Sequence, residues 1–92
     1  DALPILYLAN AIKTHFPDWK MMTPESSYLA WIDVSADERS ATQLTQHFAQ
    51  QAGVVIEDGS HYVQNGENYL RINFGTQRYW LEHAIDRMLK HY

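Results

Sequence analysis

The sequence predicts an α/β (α+β) two-layer sandwich: a small mixed, largely antiparallel sheet with helices on one face, in the order α-β-β-α-β-β-α. Apolar residues recur at spacings of three and four in three separate stretches, over residues 4–16, 41–52 and 77–91, which is the period of a helix with one buried stripe. Between them lie short runs of β-branched and aromatic residues bounded by Pro, Gly and Ser, the pattern of strands. The 92 residues form one domain, 1–92, because a chain of this size buries only about 60–65% of the surface it exposes when unfolded and has no room for a second core.

Asp1 can cap the first free amides of a helix in which Pro4 is tolerated in the first turn. Ile5, Leu8, Ala9, Ile12 and Phe16 form its apolar stripe, and it ends before Pro17. Residues Trp19 to Thr23 read as a short edge strand stopped by Pro24, and Tyr28 to Val34 as a second strand. Tyr28, Ala30, Ile32 and Val34 fall on one face and Leu29, Trp31 and Asp33 on the other. Apolar residues on both faces place this strand inside the sheet. Ser40 and Gln43 fit a capping box. A helix over 41–52 follows, with the stripe Ala41, Leu44, Phe48 and Ala52, and Gly53 stands where a left-handed residue is wanted. Val54 to Ile56 reads as a short strand broken at Glu57, Asp58 and Gly59. The loop over 59–68 is long enough to suggest function, and its Gly59 and Gly66 read as turn glycines. Leu70, Ile72 and Phe74 then alternate with Tyr69, Arg71 and Asn73. A last helix over 77–91 buries Leu81, Ala84, Ile85, Met88 and Leu89, with Trp80 capping the core.

Eleven acidic against seven basic residues leave a net charge of -4, without the positive field that draws phosphate backbones, so nucleic acid is not an expected partner. The apolar stretch from Leu3 to Ile12 is interrupted and too short to span a bilayer, so a membrane is not expected either. The absence of cysteine removes disulfides, thiolate zinc sites and a cysteine nucleophile. The start on Asp1, without methionine, suggests an excised fragment.

Arg71 is the most informative residue. It sits in mid-strand beside Asn73 on the face turned from the helices, and its planar fork suits two parallel hydrogen bonds to a carboxylate. Spacing alone also allows a solvated or structurally paired charge. The histidines do not make a metal site: His83 and His91 are more than two turns apart on one helix, and no HExxH pattern links His47 and His61. No GxSxG elbow is present, and no metal or catalytic residue is expected. Trp31, Trp80, Tyr62 and Tyr69 could stack on a ligand, although aromatics at such spacings are usually core.

Pro24-Glu25-Ser26-Ser27-Tyr28-Leu29-Ala30-Trp31-Ile32-Asp33, then Ala52-Gly53-Val54-Val55-Ile56 with Gly59 shortly after, then Tyr69-Leu70-Arg71-Ile72-Asn73-Phe74 and the closing helix form a series that resembles the C-terminal small domain of fold-type I pyridoxal-phosphate enzymes. Within that superfamily it is most similar to the cystathionine β-lyase and aminotransferase group typified by MalY and PatB. The likeness spans nearly the whole chain. It implies that Arg71 grips the α-carboxylate of an amino-acid substrate and that Asn73 supports its orientation. It also implies a cytoplasmic, homodimeric parent whose large domain, in the same chain, holds pyridoxal 5'-phosphate. Lys13, Lys20 and Lys90 match none of the family's cofactor motifs, so the resemblance implies that this segment binds no cofactor and catalyses nothing alone. The loop departs from the family's Pro-Gly and Phe-Gly pattern, with Asp58 before Gly59 and Val63 after Tyr62, which bears on loop geometry and on the substrate side chain.

Two other readings compete. Residues 28–91 also read β-α-β-β-α, close to a stand-alone ferredoxin-like or ACT-like amino-acid-sensing module, and the polar-aromatic sheet face could be a protein interface. The carboxylate-gripping expectation fails if Arg71 lies beneath the helices or is locked to an acidic neighbour.

Overall fold

The structure is a computed structural model that describes residues 4–22, 29–62, 64, 66–75 and 78–92. The Asp1 cap, the stop at Pro24, Tyr28 as a strand residue and the start of the last helix at Gln77 lie outside the described residues.

Helix α1, Pro4–His15, buries Leu8, Ala11 and Ile12, and Phe16 follows them into the core. The chain then turns so that the Trp19 amide donates to the Phe16 carbonyl at 2.9 Å. The Trp19 ring stacks on Phe16 with centroids 4.3 Å apart, and its Nε1 donates to Asp37. Trp19 is therefore a core residue and does not begin a strand, and strand β1 is confined to Lys20–Met21. Strand β2, Leu29–Asp33, lies between β1 and strand β4, Tyr69–Asn73.

Helix α2, Ala41–His47, starts with a reciprocal cap: Gln43 N–H donates to Ser40 Oγ, and Ser40 N–H donates to Gln43 Oε1. The helix expected over 41–52 is not uniform, because the last five residues, Phe48–Ala52, widen into a π-helical turn. Gly53 then closes the turn at φ 67°, donating its N–H back to the Phe48 carbonyl; this left-handed conformation is one that glycine adopts without steric cost. The strand expected at Val54–Ile56 is displaced. Val54 and Ile56 turn into the core while Val55 is 85% exposed, and laddering begins only at strand β3, Glu57–Asp58, opposite Arg71 and Leu70. Two 3₁₀ turns, Gly59–His61 and Gly66–Asn68, lead into β4, and helix α3, Arg78–Lys90, completes the described chain.

The sheet order is β1-β2-β4-β3. Each of its pairings is antiparallel, so the parallel component implied by a mixed sheet is absent among the described residues. Ala30, Ile32, Leu70 and Ile72 share one cluster with Leu8, Ile12, Leu44, Phe48, Leu81, Ile85 and Met88. Each large side chain fully buried there contributes about 1.5–3 kcal/mol. Period-two alternation then turns Trp31, Tyr69, Arg71 and Asn73 to the opposite face, half-buried or exposed. Trp80, expected to cap the core, is instead 59% exposed.

Candidate functional site

The register that buries Leu70 and Ile72 forces Arg71 onto the face away from the core. Its Cα partners are Trp31 on β2 and Glu57 on β3, so the side chain rises from the middle of a three-strand ladder. Such an origin fixes the direction of the guanidinium more firmly than a loop would.

Two contacts complete its placement. Arg71 Nη1 donates to Glu57 Oε1 at 2.6 Å, and the guanidinium carbon stands 4.3 Å from the centre of the Tyr62 ring. Tyr62 in turn donates its hydroxyl to Glu57 Oε2. Trp31 walls the site, edge to face with both Tyr62 and Tyr69. Arg71 is thus not beneath the helices, but it does have an acidic neighbour. The neighbour is a partner and not a lock. The Arg71 and Glu57 side chains remain 20% and 37% exposed, so the net worth of the pair is about 1 kcal/mol or less, and among the described residues one of its five N–H donors is used.

Asn73 lies on the same face, exposed, with its Oδ1 accepting the Gly75 amide at 2.9 Å. Among the described residues no hydrogen bond joins it to Arg71; Glu57 and Tyr62 are the groups that touch the guanidinium. Glu57 escaped sequence reasoning because the apolar run before it looked like the strand and the acid like its end. Carrying the pairing two residues further would have put Glu57 opposite Arg71.

A cavity of about 140 Å³ opens between β3, β4 and α3. Among the described residues Glu57 and Arg71 are the charged ones that line it; Asn73 and Trp80 join them, and aliphatic side chains supply most of the rest. Asp58, next to Glu57, turns the other way and is buried, accepting hydrogen bonds from the Thr42 hydroxyl and the Ser60 amide. Burial pushes its carboxyl up, but the Thr42 and Ser60 hydrogen bonds and the nearby His61 outweigh that and hold it below the usual carboxylate value. Gly59 and Gly66 each open a 3₁₀ turn, as read from sequence, and they are also packing glycines: a Cβ on Gly66 would strike the Gly59 carbonyl, and one on Gly59 would strike the Trp31 ring.

Among the described residues no group of three His, Cys, Asp or Glu side chains could hold a metal ion, and no helix is long and apolar enough to cross a membrane. The residues present do not suit pyridoxal phosphate either. Lys13, Lys20 and Lys90 are exposed on three different elements, and none lines the cavity that Arg71 lines.

The family model described as aminotransferase class I and II matches residues 5–88. Cystathionine beta-lyase PatB of Bacillus subtilis is 35% identical over 77 residues, covering 84% of this chain and 20% of that protein. Protein MalY of Escherichia coli is 30% identical over 81 residues, covering 88% of this chain and 21% of that protein. The PLP-bound C-S lyase from Staphylococcus hominis superposes with a TM-score of 0.79 at 28% identity, over 96% of this chain and 24% of that one. The chain therefore spans about a fifth of the length of the curated relatives it matches. With the family model running from the first helix to the last, this chain belongs to the aminotransferase class I and II family.

Proposed function

We propose that this chain is the carboxylate-gripping small domain of a longer pyridoxal-phosphate-dependent aminotransferase or carbon–sulfur β-lyase. Arg71 receives the α-carboxylate of an amino-acid substrate, and Asn73 offers its amide on the same side. The observation that carries this reading is the pose of Arg71: mid-strand, on the face turned away from the core, with one amino group on Glu57 and its guanidinium over the Tyr62 ring. A guanidinium so placed can present its remaining edge to both oxygens of a carboxylate. In the parent, the cofactor would supply the electron sink for bond cleavage at the α-carbon, and its lysine, acidic partner and phosphate cradle would lie in the segment beyond this chain. The work of this domain is orientation, which can account for a large share of a barrier when the reacting bond must be aligned.

The sensing-module reading finds no support in the family match, and no observation favours the interface reading over a substrate site. The test is Arg71→Ala in the full-length protein that carries this chain. Losing one partner of a desolvated charge pair costs about 2–5 kcal/mol, so kcat/KM should fall by roughly 30-fold to several-thousand-fold. Unchanged kcat/KM would overturn the reading.

A further inference from the structure

We propose that Tyr62 is a positioning residue for Arg71: its ring steadies the guanidinium directly, and its hydroxyl steadies it through Glu57, so that the fork meets the substrate carboxylate in one orientation. This deepens the carboxylate-gripping reading and rests on it. An arginine head sits at the end of a long flexible stem, and a mid-strand origin sets only where that stem begins. The hydrogen bond from Arg71 Nη1 to Glu57 Oε1, at 2.6 Å, ties one corner of the head but lets it turn about that bond. The Tyr62 ring opposes the turning. Its centre lies 4.3 Å from the guanidinium carbon, well within the range of cation-π attraction. The acid needs holding as well, because the Glu57 side chain is partly exposed and would swing if tied by one oxygen. The Tyr62 hydroxyl donates to Oε2 while Arg71 holds Oε1. Tyr62 is thus the member of the trio that touches both charged groups.

Tyr62 can serve as a reference point because it is itself anchored from two sides. Its amide donates to the Gly59 carbonyl at 3.0 Å and closes the turn Gly59–His61. Asp58 caps that turn, accepting the Ser60 amide on one oxygen and the Thr42 hydroxyl of α2 on the other. Trp31, the register partner of Arg71 on β2, meets the Tyr62 ring edge to face with centroids 6.4 Å apart. The ring is therefore referred both to α2 and to the strand beside Arg71. Tyr62 nonetheless remains 48% exposed, so its contacts with Arg71 and Glu57 are not a by-product of burying it in the core. The consequence is a division of labour in binding: Arg71 supplies the charge, while Tyr62 and Glu57 supply its aim. Aim matters for a carboxylate, because two parallel hydrogen bonds form only when fork and guest are aligned.

The experiment compares valerate with valeramide, which share a carbon skeleton and differ as carboxylate and neutral amide, titrated calorimetrically at fixed pH and ionic strength into the full-length, cofactor-loaded protein that carries this chain. The unaltered protein should prefer valerate, and Arg71→Ala should erase the preference. Tyr62→Phe keeps the ring and loses the hydroxyl; it should lower valerate affinity about tenfold, as expected for a hydrogen bond to a charged group, and leave valeramide unchanged. Tyr62→Leu, which loses the ring too, should lose more. In a Glu57→Ala background the hydroxyl has nothing to act through, so adding Tyr62→Phe should leave valerate affinity where Glu57→Ala alone puts it. A merely structural role for Tyr62 would weaken both probes in parallel. Unaltered binding of both probes by Tyr62→Phe, a parallel loss of both, or the same loss of valerate affinity with Glu57→Ala as without it overturns the proposal; if Arg71→Ala still erases the preference, the carboxylate-gripping reading stands. A missing valerate preference in the unaltered protein, or one that survives Arg71→Ala, overturns that reading and this proposal with it.

Discussion

Glu57 and Arg71 stand opposite each other on β3 and β4, and their charged ends meet at 2.6 Å on the sheet face turned away from Leu70 and Ile72. The pairing distinguishes the roles of charge and shape at Arg71. Lysine would keep the positive charge but offers a point donor in place of a fork and cannot hold Glu57 and a guest carboxylate in one plane. Arg71→Lys should therefore lower kcat/KM by about tenfold or more, through weaker transition-state placement, and should bind a carboxylate inhibitor more tightly than Arg71→Ala does. Steady-state kinetics and inhibitor titration of the two variants check this. Equal loss in both would mean that the charge contributes nothing.

How much of this was legible in the sequence follows from which interactions are local. Ser40 and Gln43 lie three apart, and their reciprocal cap forms as read. The alternation over 69–74 placed Arg71 on the open face because period two leaves no other choice. Glu57 was hidden because strand pairing, not propensity, decides where β3 begins: Val54 and Ile56 have strong β preference but are drawn into the core against the helices. Trp19 was misplaced because its burial and its bond to Asp37 bring together residues that lie far apart in sequence. The widening of α2 at Phe48–Ala52 leaves no signature in the apolar spacing, which suits either turn.

The two loop glycines give a stability prediction. Gly59 and Gly66 touch backbone to backbone beneath Trp31, and a Cβ on either would overlap its neighbours. Neither has the positive φ that would demand glycine for conformational reasons, so the penalty is one of crowding. Gly66→Ala should destabilise by about 2–3 kcal/mol, the upper range for overpacking. Because the loop carries Tyr62, the same variant should weaken carboxylate binding. Urea unfolding together with inhibitor titration measures both effects, and an unchanged midpoint would show that the loop opens at no cost.

The cap of α2 permits a coupled test. Ser40→Ala should cost about 1 kcal/mol, typical for loss of an N-cap side chain. Gln43→Ala removes the returning bond to the Ser40 amide. Since the two bonds hold one geometry, the double variant should lose less than the sum of the singles. Strict additivity in denaturant unfolding would show that the reciprocal bonds act independently.

Acid should weaken the fold through two carboxylates. Asp58 titrates below the usual carboxylate value, because its hydrogen bonds outweigh the opposing effect of burial. Burial likewise pushes Asp37 up, and bonds from the Tyr92 hydroxyl, the Arg39 amide, Trp19 Nε1 and the Arg39 side chain outweigh it. A folded-state value below the unfolded one means that the unfolded chain binds more protons in the window between them. The stabilisation is then complete above the unfolded carboxylate value of about 4 and drains away as pH falls through the lower folded values. Asp58→Asn removes one of these linkages. The free-energy gap between the unaltered protein and this variant should be widest at neutral pH and should narrow below about pH 4. A gap that stayed constant from pH 7 to pH 3, measured by urea unfolding, would show that the Asp58 carboxylate is bound no more firmly in the folded chain than in the unfolded one.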